Sequence, residues 1–116
     1  PPSFRCHLPG VGTASAFHRD GDPKYGVTRN SINAWVPLTR VAQTNSIYIE
    51  TMIGSGRHRP VTLEPGEILV FDAYHLEHGS IANRTETTRV SCDLRFVPVD
   101  KARAQAMGLY PSGHIF

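Results

Sequence analysis

His18-Arg19-Asp20 sets an imidazole and a carboxylate two residues apart, and residues 71–96 add His78, in His78-Gly79-Ser80, and Arg89, in Arg89-Val90-Ser91. On a strand, side chains at i and i+2 share a face. Two imidazoles and one carboxylate make the facial donor set of a non-haem iron site, which leaves coordination positions open for reactants. A strand-borne guanidinium such as Arg89 can hold a carboxylate through two parallel hydrogen bonds, and the Ser91 hydroxyl two residues on can add a donor from the same face. His18, Asp20 and His78 are therefore candidate metal ligands, with Arg89 and Ser91 as candidate carboxylate contacts.

Each fragment alone is ambiguous. His18-x-Asp20 runs into Asp20-Gly21-Asp22-Pro23, so it also reads as a pair of surface turn residues. His75 competes with His78; in a continuous strand the two point to opposite faces, so at most one joins the site. We place His78 there because Gly79-Ser80 lets the backbone approach closely and because of its interval to Arg89. His7, His58 and His114 read as structural or surface residues.

The elements that must position these groups are short strands. Residues 3–8 read as a first strand ended by Pro9-Gly10, and residues 12–20 as a second, with Phe17 turned to a core. Residues 21–30 form a loop, a candidate rim or lid over a cavity. Residues 31–38 alternate, with Ile32, Ala34, Val36 and Leu38 on one face and Ser31, Asn33 and Trp35 on the other; Pro37 marks an edge or a strand end. Further strands follow over residues 46–53, 59–63, 68–71 (a buried strand) and 74–80. Glu64-Pro65-Gly66-Glu67 has the proline and glycine of a type II turn. Residues 87–97 are the longest strand, with Arg89, Ser91, Asp93 and Arg95 on one face and Val90, Cys92, Leu94 and Phe96 on the other. That alternation fits either a solvated polar face or one turned into a cavity. One short C-terminal helix is expected over residues 100–107, from an Asp100 cap to Gly108. About eight strands with turns between them predict an all-β sandwich or barrel.

Composition narrows the function classes. The 116 residues suit one domain, 40% hydrophobic is ordinary, and six histidines mildly favour metal or acid–base chemistry. Twelve Lys and Arg against ten Asp and Glu, with no basic run, give no nucleic-acid surface. No apolar run reaches membrane length. Cys6 and Cys92 form no disulfide framework, and the expectation is a reduced, cytoplasmic protein, although a bridge between them stays open. The chain opens on Pro1-Pro2 without methionine, so we expect a piece of a longer protein.

Taken together the motifs resemble the iron(II)- and 2-oxoglutarate-dependent oxygenases. Within them the chain looks most like the phytanoyl-CoA dioxygenase-type branch and its StrG-like antibiotic-biosynthesis members. The resemblance rests on His18-Arg19-Asp20, Asn33-Ala34-Trp35-Val36-Pro37-Leu38, Pro65-Gly66-Glu67-Ile68-Leu69-Val70-Phe71, His78-Gly79-Ser80 and Arg89-Val90-Ser91, from Phe17 to Val97. It implies a double-stranded β-helix (jelly roll, cupin-like) with Fe(II) on His18, Asp20 and His78. It also implies 2-oxoglutarate anchored by Arg89 and aided by Ser91, O2 as oxidant, and hydroxylation of an unactivated C–H bond of a small molecule as 2-oxoglutarate becomes succinate. The retained Asp20 separates the chain from halogenating relatives, which need that ligand position for halide. Candidate substrate contacts are Arg29, Asn33, Trp35, Tyr48 and Arg57. Two departures stand out. Gly54-Ser55-Gly56-Arg57-His58 replaces the Gly-Ser-His of many relatives, and the N-terminal helical region of full-length relatives is absent. The competing readings are a cupin-like metal enzyme that does not use 2-oxoglutarate, which would more often show His-x-His with a later glutamate, and a non-catalytic jelly-roll binding module.

Overall fold

A computed structural model of the chain describes residues 2–12, 15–97 and 100. Those residues build two antiparallel sheets and almost no helix. The first sheet holds β1 (Ser3–His7), β2 (Ile32–Pro37), β5 (Leu69–Phe71) and β7 (Arg89–Phe96), in the order β1-β7-β2-β5. The second holds β3 (Tyr48–Glu50), β4 (His58–Pro60) and β6 (His78–Gly79), in the order β4-β3-β6. After β2 the chain crosses to the second sheet for β3 and β4, returns for β5, crosses again for β6 and returns for β7. Between the sheets lies a core of Trp35, Val41 and Ile47, with Ile49, Val61, Leu63, Leu69 and Phe71 packed against it.

Strand parity decides what faces that core. In β2 Trp35 points inward with Asn33, and in β7 Arg89 and Ser91 are buried on the corresponding face. The polar face of β7 is therefore the inner one at this end of the strand, and the solvated-face alternative does not hold there. The apolar residues of the same strands turn outward. Phe4, Ile32, Leu38, Val70 and Phe96 are all exposed, and the register puts Ile32 opposite Phe96 and Ala34 between Leu94 and Val70. Alternation marks two unlike faces; the polar groups drawn to the cavity determine which one is inside.

Several expected elements change. Of the strand expected over residues 12–20, the described residues keep one antiparallel bridge, His18 with His78, closed by hydrogen bonds of 3.0 Å in both directions. Phe17 beside it is exposed and stacks on His58 instead of entering the core. Residues 72–76 form a turn in place of strand, because the Leu76 N–H donates to Asp72 O at 3.0 Å and the Asp72 carboxylate accepts from the His75 N–H at 3.1 Å. Gly54 and Gly56, at φ of 77° and 67°, end β3 early. The segment at 68–71 is an edge strand, not a buried one, with Ile68 and Val70 exposed. Pro37 sits at the end of β2, opposite Ser91. The 64–67 turn forms as expected, with Glu67 N–H on Glu64 O at 3.1 Å and Gly66 at φ 97°. Both cysteines are free. The helix expected over residues 100–107 lies outside the described residues apart from Asp100. No helix among the described residues is long and apolar enough to cross a membrane.

The His18–His78 bridge depends on Gly79. A Cβ there would stand 2.9 Å from the Phe17 Cα and 3.0 Å from its nitrogen, so backbone would have to move. Overpacking of this kind costs about 1–3 kcal/mol. Gly79→Ala should therefore lower the urea-unfolding free energy by that amount, and a variant as stable as wild type would show that the two segments do not pack this closely.

Candidate metal centre

His18, Asp20 and His78 each offer one ligand atom, and these atoms lie within 4.8 Å of one another. His78 arrives on β6, and the bridge sets His18 directly beside it, so the two rings stand 4.6 Å apart. Asp20 follows two residues later, its backbone N–H fixed on Ala73 O at 2.9 Å.

Hydrogen bonds orient all three groups. His18 Nδ1 meets Ala16 O at 2.8 Å, and His78 Nδ1 meets Leu76 O at 2.9 Å. A carbonyl accepts only, so each Nδ1 carries the proton and each Nε2 presents its lone pair. Both Nε2 atoms converge on Asp20 Oδ1, at 3.3 Å from His18 and 3.5 Å from His78. The other carboxylate oxygen, Oδ2, accepts from Asn33 Nδ2 at 3.1 Å and from Arg95 Nη2 at 2.7 Å. Asp20 thus has one oxygen committed to the protein and one turned toward the histidines. Burial pushes its carboxyl up, but the hydrogen bonds and positive charge around it, Arg95 among them, outweigh this and hold it well below the usual carboxylate range. Three converging lone pairs repel unless a cation lies between them. Ligands at about 2.1 Å and a right angle stand about 3 Å apart, close to these separations, so the donor set fits a divalent ion.

Arg89 faces the same cavity from β7. Only 1% of the residue is exposed. Its Nη1 donates to Asn45 O at 3.1 Å and to Ser80 Oγ at 3.3 Å, and the guanidinium lies 5.6 Å from the Trp35 ring centre. Its Nε and the Ser91 hydroxyl are buried without partners. Among the described residues Arg89 enters no ion pair within 4.0 Å. Burial lowers its pKa, with Asp93 acting in the opposite direction and Arg5 adding to the loss. The cavity, about 130 Å³, is lined by His18, Asp20 and His78 together with Arg5, Arg89, Asp93 and Arg95.

The remaining expected site residues separate. Asn33 and Trp35 line the cavity, but Asn33 holds Asp20 and Trp35 belongs to the core. Tyr48 lies on β3 and does not line the cavity. Arg29 is in a surface groove with Val70 and His75, and Arg57 in another with His58 and Arg59. His75 pairs with Asp72 at 2.7 Å, His58 with Glu77 at 2.9 Å, and buried His7 meets Gly12 O; His114 lies outside the described residues. The loop at 21–30 folds as a short 3-10 turn, Pro23–Tyr25, capped by Asp22, and lays Tyr25 5.1 Å from the His18 ring. Sequence reasoning missed Arg95 as the partner of Asp20, although it shares a strand face with Arg89. It also missed Glu50. Backbone donors at Gly56 and Glu77, helped by Arg19 and opposed by burial, hold the Glu50 carboxyl down to about 2.

No protein-family model matches the chain. The chain is 40% identical over 97 residues to the streptomycin biosynthesis protein StrG of Streptomyces griseus, a match covering 84% of this chain and 44% of StrG. It spans less than half the length of that curated relative. Among solved structures it is similar to the non-heme monooxygenase ThoJ in its nickel complex, with a TM-score of 0.65 and 19% identity over 83% of this chain and 42% of that one. It is also similar to AviO1 from Streptomyces viridochromogenes Tue57, at a TM-score of 0.64 and 16% identity over 84% of this chain and 49% of that one. At these identities the structural matches establish a shared fold.

Two measurements check the centre. Asp20→Ala should abolish divalent-metal uptake in anaerobic calorimetry while the chain stays folded, since Arg95 is 46% exposed in its side chain and can rehydrate; wild-type stoichiometry in the variant would remove Asp20 from the ligand set. Glu50 titrates near 4.5 in an unfolded chain and near 2 when folded, so its contribution is complete above pH 4.5 and is lost as pH falls toward 2. The stability gap between wild type and Glu50→Gln should shrink over that window, and a gap independent of pH would contradict the assignment.

Proposed function

We propose that the chain is the core of an Fe(II)- and 2-oxoglutarate-dependent oxygenase of the StrG-like, phytanoyl-CoA dioxygenase-type group, acting on a small-molecule substrate. In this reading the two sheets are the halves of a double-stranded β-helix; the repeated crossing of the chain between them supports it. The observation that carries the proposal is Arg89. A buried guanidinium with no carboxylate partner among the described residues is costly. Here it shares a cavity with three converging metal-ligand atoms, and its Nε and the Ser91 hydroxyl lack partners. A ligand that chelates metal at one end and presents a carboxylate at the other meets both needs. The resemblance to StrG and the fold shared with proteins named as non-heme monooxygenases favour oxygenation over other metal chemistry.

Iron(II), when bound with 2-oxoglutarate and O2, supplies the oxidation, in which one oxygen atom enters a C–H bond of the substrate and the other enters succinate as CO2 leaves. The chain's own residues do the rest. His18 and His78 present neutral Nε2 atoms, because Ala16 O and Leu76 O hold their Nδ1 protons. Asp20 offers Oδ1 alone, because Asn33 and Arg95 hold Oδ2. Arg89 and Ser91 fix the distal carboxylate of the co-substrate and thereby its orientation. Trp35 closes the floor beneath Arg89 and keeps water from it.

Anaerobic addition of Fe(II) and then 2-oxoglutarate should develop the visible charge-transfer band of the chelate. It should also raise the melting temperature beyond that with metal alone. Arg89→Met should keep metal uptake and lose both responses to 2-oxoglutarate. Metal uptake without either response in wild type would favour an enzyme that does not use 2-oxoglutarate, and a folded chain that binds no metal would favour a binding module.

A further inference from the structure

Glu50 ends β3 with its side chain fully covered, and it does not line the cavity. Nevertheless it holds residues next to every proposed ligand. Its two oxygens accept from Arg19 Nη2 at 3.1 and 3.0 Å, and Arg19 stands between His18 and Asp20 in the chain. One of those oxygens also accepts from the Glu77 N–H at 3.1 Å, immediately before His78, and the other from the Gly56 N–H at 2.9 Å. The Glu50 backbone N–H donates to Glu77 O at 2.8 Å, so residue 77 is held at both its N–H and its C=O. Arg19 reaches on to His75 O through Nε at 3.0 Å and to the Glu77 carboxylate at 3.6 Å.

The arrangement is specific in direction. Along 18–20 the outer residues face the cavity while Arg19 turns to the opposite side, where Glu50 waits. The segment carrying His18 and Asp20 is held through its backbone, by the bridge to His78, by the Ser80 N–H on Ser15 O at 3.0 Å, and by the Asp20 and Gly21 N–H groups on Ala73 O and Tyr74 O at 2.9 and 3.1 Å. The Glu50 carboxylate, on a third segment, adds a side-chain tie that grips the Arg19 side chain and the Glu77 N–H together, so it couples the two ligand-bearing segments to each other. We propose that Glu50, acting through Arg19 and the Glu77 N–H, is a positioning residue that sets the separation and angle of the metal ligands. This rests on the reading of His18, Asp20 and His78 as a metal centre.

Cobalt(II) titration of the 116-residue chain under anaerobic conditions tests it, read by calorimetry and by the visible d–d bands, which report ligand geometry directly. Glu50→Gln keeps the size of the side chain but presents an amide donor to groups that are themselves donors. It should weaken cobalt binding about 10–100-fold and alter the band positions and intensities, with far-ultraviolet circular dichroism unchanged. Arg19→Gln, at a side chain 38% exposed, should weaken binding on the same scale and decides the matter alone if Glu50→Gln does not fold. Because the two residues act as one unit, the double variant should lose little more than either single one. Wild-type affinity and wild-type bands in Glu50→Gln or Arg19→Gln, even with a lowered melting temperature, would overturn the proposal and leave Glu50 as a stability element. Additive losses would overturn it as well. A wild-type chain that takes up no cobalt would overturn the metal centre and this proposal together.

Discussion

Two backbone hydrogen bonds between His18 and His78 are the contact on which the site depends. They join a segment with no regular structure of its own to the edge strand of the second sheet. With that bridge in place the two imidazoles are neighbours, and Asp20, two residues on, falls beside them. The Asp20 and Gly21 N–H groups, on Ala73 O and Tyr74 O, hold the residues that follow the bridge. The close approach explains the glycine at 79, since a side chain there would meet the backbone of Phe17. It also explains why Asp20 can be so well buried while charged: Arg95, Asn33 and the histidines surround it.

Much of the chemistry was legible in the sequence because it follows strand parity. His18 with Asp20, and Arg89 with Ser91, are i, i+2 pairs, and each pair shares a face in the structure. The longest strand, β7, together with β2 and the turn at Gly66, was legible for the same reason: alternation and turn chemistry are local. What was not legible depends on contacts made elsewhere. Asn33 and Trp35 were expected to face the cavity and do line it, but that Asn33 also holds Asp20 and that Trp35 also anchors the core had no local signal. Arg29 was expected to face the cavity and Arg57 to meet an anionic substrate, but each lines a separate surface groove, a placement set by loops rather than by strand parity. Glu50 had no signal at all. A single glutamate at the end of Tyr48-Ile49-Glu50 looks like any strand terminus until Arg19, Gly56 and Glu77 are seen converging on it.

The inverted sheet shows how function can override the usual pattern. Sheets normally bury their apolar face. Here the first sheet turns Arg89, Ser91 and Asn33 inward and leaves Phe4, Ile32, Val70 and Phe96 exposed. The inner face still gains a core, because Trp35 and Phe71 alternate with the polar residues and pack on Ile47 and Ile49. The sheet is therefore divided: one part of its inner face builds the core, and the rest furnishes polar groups to a cavity that would otherwise have no donors.

Charge within the cavity gives the last step. Its lining holds three arginines, Arg5, Arg89 and Arg95, against two aspartates, Asp20 and Asp93. Arg5 pairs with Asp93 at 2.7 Å and Arg95 with Asp20 at 2.7 Å, so Arg89 is the charge left over. A divalent ion held by neutral imidazoles would add two further positive charges a short distance away. In a site this buried, such an excess is unfavourable until an anion enters. A neutral ligand would leave Arg89 uncompensated, and a monoanion would satisfy the metal or the arginine but not both. A dianion with its charges at opposite ends would meet both, a demand set by the unpaired Arg89 together with a bound divalent ion.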